Sequence, residues 1–147
     1  MKLSSPEFND GEQIPERHGY MKDNTNPVLE IREVPDDAES LVLLMDDPDA
    51  VEPAGKIWDH WTVWNIPPER EKVEEDGSPG TEGMTDFRKT GYNGPNPPDR
   101  PHTYRFRVYA LDTELELPEK SEKSDVLDAA EGHILDKSEL KGTFEPL

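Results

Sequence analysis

Two aspartates and two histidines are the residues of this sequence whose types and spacing could do chemistry. Asp47 and Asp49 flank Pro48 directly after an apolar run, and His60 and His102 lie in two later apolar runs. Pro48 fixes its own φ and biases Asp47 toward an extended backbone, so the direction of the Asp47 side chain is set before any ligand arrives. If the ends of these runs meet at one edge of a sheet, the four side chains surround one cavity.

A glycine- and proline-rich segment between the two histidines is the predicted second wall of that cavity. Residues 91–98 read GYNGPNPP; the glycines let a ligand approach the backbone closely, and the prolines hold the loop rigid. Tyr104 follows His102 by two residues and shares its face of a strand. From this segment we include as candidate ligand-binding residues Gly94, Pro95, Asn96 and Pro97.

Metal binding and nucleophilic catalysis are weaker readings of the same residues. Histidine and aspartate together suit zinc or non-haem iron, but no HxH or HExxH spacing occurs, and we predict neither a metal nor a cofactor. No GxSxG motif supports a nucleophilic serine. Taken singly, His60 also fits a core imidazole and Asp47-Pro48-Asp49 a turn with side-chain to backbone hydrogen bonds.

The apolar runs predict the strands that position these side chains. The predicted strands are 28–34, 40–46, 57–66 and 102–112, with the first two as neighbours. Strict alternation in the third strand puts Trp58 and His60 on one face and Trp61 on the other. Trp58 is therefore a candidate pocket residue, and His60 is expected to lie between indoles.

Regions outside the strands carry weaker signals. Residues 1–27 are broken by prolines and glycines and are predicted to be an arm that covers a sheet edge. The long segment 69–101 is expected to belong to a binding site or to a flexible excursion. His18 is expected at the surface, and His133 is expected to be structural.

The C-terminal part predicts one or two short helices. Val126 and Ala130 lie on the apolar side of a helix that Ser121 or Ser124 is expected to cap and Gly132 to end. The tail after it, residues 134–147, is expected to hold another turn of helix and a short final strand.

Composition limits the classes of function. The 147 residues fit a single domain, 1–147, and the net charge of −18 disfavours binding to a nucleic-acid backbone. The acids are spread along the chain, as in halophilic proteins, so we expect a high-salt cytoplasm. With no apolar leader region and no long apolar run, the sequence predicts a cytoplasmic protein without membrane insertion.

Four motifs in order resemble one known family: LVLLMDDPDA, WDHWTVWNIP, GYNGPNPPDRPHTYRFRVYALD and EGHIL. Together they are similar to the phosphatidylethanolamine-binding proteins, particularly the bacterial and archaeal branch, over nearly the whole chain. The resemblance implies a mainly β fold: an antiparallel β-sandwich with Greek-key connections, short helices near the C-terminus and a small anion pocket at the strand ends. Two residues at the pocket rim depart from the family pattern. Val51 stands where the family usually has a proline, and Asn96 stands where it has a small glycine or cysteine.

The resemblance implies roles for single residues. Asp47 and His60 match the pocket acid and first histidine, His102 and Tyr104 match the second histidine and its neighbouring tyrosine, and Gly94 lies on the glycine-rich wall. Imidazole, hydroxyl and loop amide groups would donate to a phosphate or carboxylate, while Asp47 would orient a histidine.

We therefore expect a non-enzymatic module that binds a small anion and acts through ligand-dependent contacts with another protein. The alternative expectation is a protein inhibitor of a protease or kinase, with a regulatory or vestigial pocket. A third is a hydrolase that uses His60 and His102.

Overall fold

The continuous apolar run predicted at 40–46 forms the central strand of the protein. The computed structural model describes residues 1–147, and β3 (Ser40–Asp47) is buried at every position because both of its faces are covered. The predicted strands at 57–66 and 102–112 are confirmed, and they flank β3 in a five-stranded antiparallel sheet. In spatial order the strands of this sheet are β6 (Thr81–Glu82), β4 (Trp58–Ile66), β3, β7 (His102–Leu111) and β8 (Ile134–Phe144).

A smaller antiparallel sheet packs against one face of the larger one. Its strands are β1 (Lys2–Ser4), β2 (Leu29–Arg32) and β5 (Lys72–Val73). A core of 18 buried apolar residues includes Leu29 and Ile31 of the small sheet together with Met45 and Phe106 of the large one, so the fold is the expected β-sandwich. The prediction that the first two strands are neighbours is wrong, because β2 belongs to the small sheet, opposite β3.

The other face of the large sheet is covered by α2 (Lys123–Ala130). A second apolar cluster joins Val126 of this helix to Val42 and Trp64 of the sheet. The remaining helical pieces are α1 (Val51–Ala54) and the 3-10 turns Glu16–His18 and Pro48–Ala50. None of the helices has the length and apolar character needed to cross a membrane.

The start of α2 differs from the prediction. Glu122 precedes the first helical residue, and its backbone N–H donates to the Asp125 carboxylate at 2.9 Å. An acid in the first turn thus satisfies an exposed helix-start amide. Neither Ser121 nor Ser124 caps the helix; the Ser121 hydroxyl donates to the Pro118 carbonyl at 2.6 Å.

The C-terminal tail is also different from the prediction. Residues 134–144 contain no helical turn and form β8, which pairs with β7 along its length. Only one side of β8 reaches the core, through Leu140 and Phe144, while charged residues fill the solvent side. The short final strand expected in this tail is therefore present, but it is longer than expected, because its half-buried pattern is too polar to show its full length before its partner is known.

The N-terminal arm covers the outer edge of β8, which confirms the predicted role. Gln13 bridges Thr143, and the Ile14 N–H donates to the Thr143 carbonyl at 2.8 Å. The two histidines outside the strands, His18 and His133, differ in burial in the opposite sense to the prediction. His18 is fully buried, while the His133 side chain is 46% exposed and contacts only the exposed Asp112.

A β-bulge in β4 sets the direction of His60. Met45 pairs with Trp61 and Asp46 with Asp59, so His60 is the extra residue. His60 and Trp61 therefore both face the sandwich side, against the strict alternation predicted. The imidazole lies between aromatic rings, as expected, but these belong to Phe87 and Tyr104 rather than to the flanking indoles.

Candidate functional site

A pocket of about 230 Å³ opens where β3 ends and β4 and β7 begin, beside α1. Apolar and aromatic side chains make up much of its wall, with a few polar groups converging on it, as small-molecule sites commonly do. Its lining residues are Asp47, Ala50, Pro53, Ala54, Trp58, His60, Phe87, Asn96, Pro98, His102 and Tyr104.

Six of the ten predicted site residues line this pocket, and four do not. The lining six are Asp47, Trp58, His60, Asn96, His102 and Tyr104. Asp49 stabilises the turn instead: its backbone N–H donates to Asp47 Oδ1 at 2.9 Å, and its carboxylate accepts the Thr103 N–H at 2.8 Å. Gly94, Pro95 and Pro97 lie in the loop behind the pocket wall.

His102 is held by carboxylates at both of its ring nitrogens. Nδ1 lies 2.6 Å from Asp47 Oδ2, and Nε2 lies 2.7 Å from Asp99 Oδ1. Ionised carboxylates only accept hydrogen bonds, so both nitrogens donate, an arrangement that fits a charged imidazolium. The histidine that Asp47 orients is therefore His102, and its second donor is already engaged.

His60 is the second imidazole of the pocket wall and is almost completely buried. Its Nδ1 lies 2.6 Å from the Asn93 carbonyl, so Nδ1 carries a hydrogen and Nε2 is left for other partners. Burial lowers the pKa of His60, against the opposing effects of the Asn93 carbonyl and the Asp47 charge. The ring is consequently neutral at neutral pH.

The Tyr104 hydroxyl is the one polar group of the pocket wall that is buried without a hydrogen-bond partner. Burial raises the pKa of Tyr104, and the nearby charge of Asp47 raises it further, so the group is a phenol. Leaving such a donor buried and unpaired is unfavourable by about 1–3 kcal/mol. A ligand oxygen in the pocket would relieve that cost.

Phe87 connects the pocket wall to the N-terminal arm. Its ring lies edge-on to His60, with centroids 5.0 Å apart, and edge-on to Trp58 at 6.0 Å. On the other side it stacks on Tyr20 of the arm at 4.7 Å. Sequence reasoning missed Phe87; a lone aromatic in the otherwise polar segment 85–90 is the signal that could have found it.

The arm also supports the glycine-rich loop from behind. The Gly94 N–H donates to the Asn24 side chain at 2.7 Å, and the Tyr20 N–H donates to the Pro95 carbonyl at 2.9 Å. The Tyr92 hydroxyl donates to the His18 carbonyl at 3.0 Å. The Gly94 amide, expected to face a ligand, therefore faces the arm.

A second group of acids and histidine lies outside the pocket. His18 Nε2 and the carboxylates of Glu7 and Glu75 are close enough together to be metal ligands. The Arg17 guanidinium contacts both glutamates, and His18 Nδ1 lies 2.7 Å from the Thr25 carbonyl. A side-chain cation thus already balances these carboxylates, and the group ties the arm together.

Comparisons relate the whole chain to known proteins. Residues 4–145 match the family described as phosphatidylethanolamine-binding protein. The chain is 42% identical to a UPF0098 protein of Methanothermobacter thermautotrophicus, with 98% of each chain covered. It is similar, with a TM-score of 0.93 and 36% identity, to a crystal structure described as a phosphatidylethanolamine-binding protein homolog of Chlamydia trachomatis, covering 99% of this chain and 97% of that one. Escherichia coli YbcL, described as a new member of the mammalian family, gives a TM-score of 0.90 at 29% identity, covering 99% and 98%.

Proposed function

Because the chain belongs to the phosphatidylethanolamine-binding protein family, we propose that its pocket binds a small oxyanion, such as phosphate, a phosphate-bearing head group or a carboxylate. The observation that carries the proposal is the unpartnered, buried Tyr104 hydroxyl in the pocket wall. The Asn96 side chain adds a further polar group, His60 Nε2 becomes a donor once the ring is protonated, and Asp47 orients His102 beside them.

Binding is favoured over hydrolysis by what surrounds the two histidines. Both nitrogens of His102 and one nitrogen of His60 are engaged by protein groups. The wall contains no serine, threonine or cysteine that an imidazole could activate as a nucleophile. We therefore propose a module without turnover.

Replacing Tyr104 by phenylalanine tests the proposed site. Phosphate should bind the Tyr104→Phe variant about tenfold more weakly than the wild type, because one hydrogen bond to a charged acceptor is lost. Isothermal titration calorimetry measures the difference. Tyr109→Phe is the matched control, since this tyrosine lies under α2, away from the pocket.

The fold of the variant should be intact, because the deleted hydroxyl makes no hydrogen bond in the protein. Its unfolding midpoint should match or exceed that of the wild type. Equal phosphate affinity in wild type and Tyr104→Phe would show that the pocket is not the anion site.

His60 should make anion binding depend on pH. Since burial lowers its pKa, the ring is neutral at pH 7 and gains a proton on Nε2 only below the ordinary histidine value of about 6.5. Sulfate keeps its charge over this range, and its affinity should rise as the pH falls toward 5.5. A His60→Gln variant should show a flatter profile; an identical rise in that variant would assign the effect to another group.

The proposal has a second part, that the bound ligand changes contacts with another protein. Val51 of α1 is 51% exposed and Ile57 is 38% exposed, and both adjoin residues of the pocket wall. Exposed apolar side chains beside a ligand pocket suit a ligand-sensitive contact surface. If the protein binds the same partner proteins with and without phosphate, this part is wrong. A protease or kinase among partners whose binding does not respond to phosphate would favour the inhibitor alternative.

A further inference from the structure

Asp99 contacts the pocket histidine from the solvent side. Its carboxylate lies 2.7 Å from His102 Nε2, and its side chain is 36% exposed, whereas the imidazole is 1% exposed. Asp99 follows Pro98, a residue of the pocket wall. In the hydrogen-bonded series Asp47–His102–Asp99, the carboxylate of Asp99 is therefore the only exposed group.

We propose that Asp99 is an internal competitor for the anion: its carboxylate takes the His102 Nε2 donor, and full ligand binding requires Asp99 to release it. This proposal rests on the anion-binding function proposed above. In it, Asp99 regulates ligand binding at the pocket and determines which anions bind there. An oxyanion that reaches Nε2 replaces one carboxylate oxygen by another acceptor of the same kind.

The two carboxylates on His102 differ in how firmly they are held. Asp47 is 3% exposed and is fixed by the Asp49 N–H as well as by the imidazole. Asp99 has only one further partner, Arg100 at 3.7 Å, and the guanidinium is shared with Glu52 at 3.3 Å. Exposed ion pairs of this kind contribute little. Asp47 is thus the permanent partner of His102, and Asp99 the exchangeable one.

The charge of Asp99 persists under ordinary conditions. Desolvation opposes ionisation, but the hydrogen bond and charge of His102 outweigh it and lower the pKa of Asp99. An incoming anion therefore meets an ionised competitor. Phosphate, with more charge and more acceptor oxygens, should displace the carboxylate more readily than acetate does, so Asp99 selects against weak monoanions.

The test compares phosphate and acetate binding in wild type, Asp99→Asn, Asp99→Ala and Glu52→Gln. Glu52→Gln is the matched control, because it removes one rim carboxylate that contacts Arg100 and no histidine. Removing either charge lessens long-range repulsion, but only Asp99→Ala frees Nε2; in Asp99→Asn the amide oxygen can still accept from it, so its gain should be smaller. Calorimetry should show phosphate binding about tenfold tighter in Asp99→Ala than in Glu52→Gln, the size of one charge-assisted hydrogen bond. The gain for acetate should be larger than the gain for phosphate.

Two different failures can be told apart. If Tyr104→Phe weakens phosphate binding while Asp99→Ala matches Glu52→Gln, Asp99 is not a competitor for the anion and the anion site stands. If folded wild type binds neither anion, or Tyr104→Phe binds like wild type, the proposed function is wrong. The competitor role of Asp99, which depends on that function, is then wrong as well. Matching unfolding midpoints of the Asp99 variants and wild type verify that the comparison is between folded proteins.

Discussion

Asp46→Ala should lower the free energy of unfolding by about 3–5 kcal/mol, the range for removing one partner of a buried ion pair. Asp46 is fully buried beneath α2 and balances three cations. Its carboxylate accepts from Arg105 at 2.7 and 2.9 Å, from Arg107 at 2.9 Å and from Lys123 at 3.0 Å. Removing it leaves positive charges crowded in a poorly solvated space.

The network connects α2 to the strands that end at the pocket. Lys123, the first residue of α2, also lies 2.6 Å from Asp59 of β4. Burial raises the pKa of Asp59, and Lys123 only partly offsets this, so Asp46 is the principal acid of the group. Loss of Asp46 should loosen α2 as well as lower the global stability.

The effect should disappear in acid. Burial alone would raise the pKa of Asp46, but Arg105, Lys123 and Arg107 together lower it below the ordinary value of 3.8. A depressed folded-state pKa means that the contribution is complete above about pH 4 and is lost as the pH falls through the folded value. The stability difference between wild type and variant should therefore be constant near neutrality and shrink only below about pH 4.

Urea unfolding of Asp46→Ala, Asp46→Asn and a surface control measures these values. Glu30→Ala is the control, because Glu30 pairs with the exposed Arg32 at 3.0 Å and should contribute less than about 1 kcal/mol. A loss in Asp46→Ala no larger than in Glu30→Ala would show that the three cations need no buried acid.

The strands around the pocket could be predicted because their apolar periodicity is strong. β3 reads as a buried run, and β7 alternates over its whole length, so their presence followed from single segments. The length of β8 did not, since only Leu140 and Phe144 mark its core side and most of the residues between 136 and 143 are polar. Sheet membership of β2 also escaped prediction, because a run such as Leu29–Arg32 has the same pattern in either sheet.

The histidines of the site could be predicted, but their hydrogen-bond partners could not. A period of two cannot reveal the bulge that turns His60 toward Tyr104. The arm's contact with the loop joins residues about 70 positions apart, such as Asn24 and Gly94. No local signal reports such contacts, and the burial of His18 follows from the same docking.

Gly94→Ala should cost about 3 kcal/mol of stability, the upper part of the usual range for forcing extra atoms into a packed site. A Cβ at this position would lie 2.0 Å from the His18 carbonyl oxygen and 2.9 Å from backbone atoms of Gly19 and Tyr20. Backbone atoms cannot rotate away as the end of a side chain can. The arm and the loop must therefore separate, which breaks the hydrogen bond between Gly94 and Asn24.

The same substitution should weaken phosphate binding, because the displaced loop carries the Asn93 carbonyl that holds His60 and the Asn96 side chain of the pocket wall. Gly132→Ala is the matched control: its φ of +83° makes alanine unfavourable by about 1–2 kcal/mol, but a Cβ there meets nothing and lies outside the pocket. Both variants should unfold at lower urea concentration, and only Gly94→Ala should lose anion affinity. If Gly94→Ala is destabilised but binds phosphate like wild type, the arm stabilises the loop without positioning the pocket. If Gly94→Ala is as stable as wild type and binds phosphate equally well, the loop accommodates a Cβ despite its close approach to His18, and the prediction is wrong.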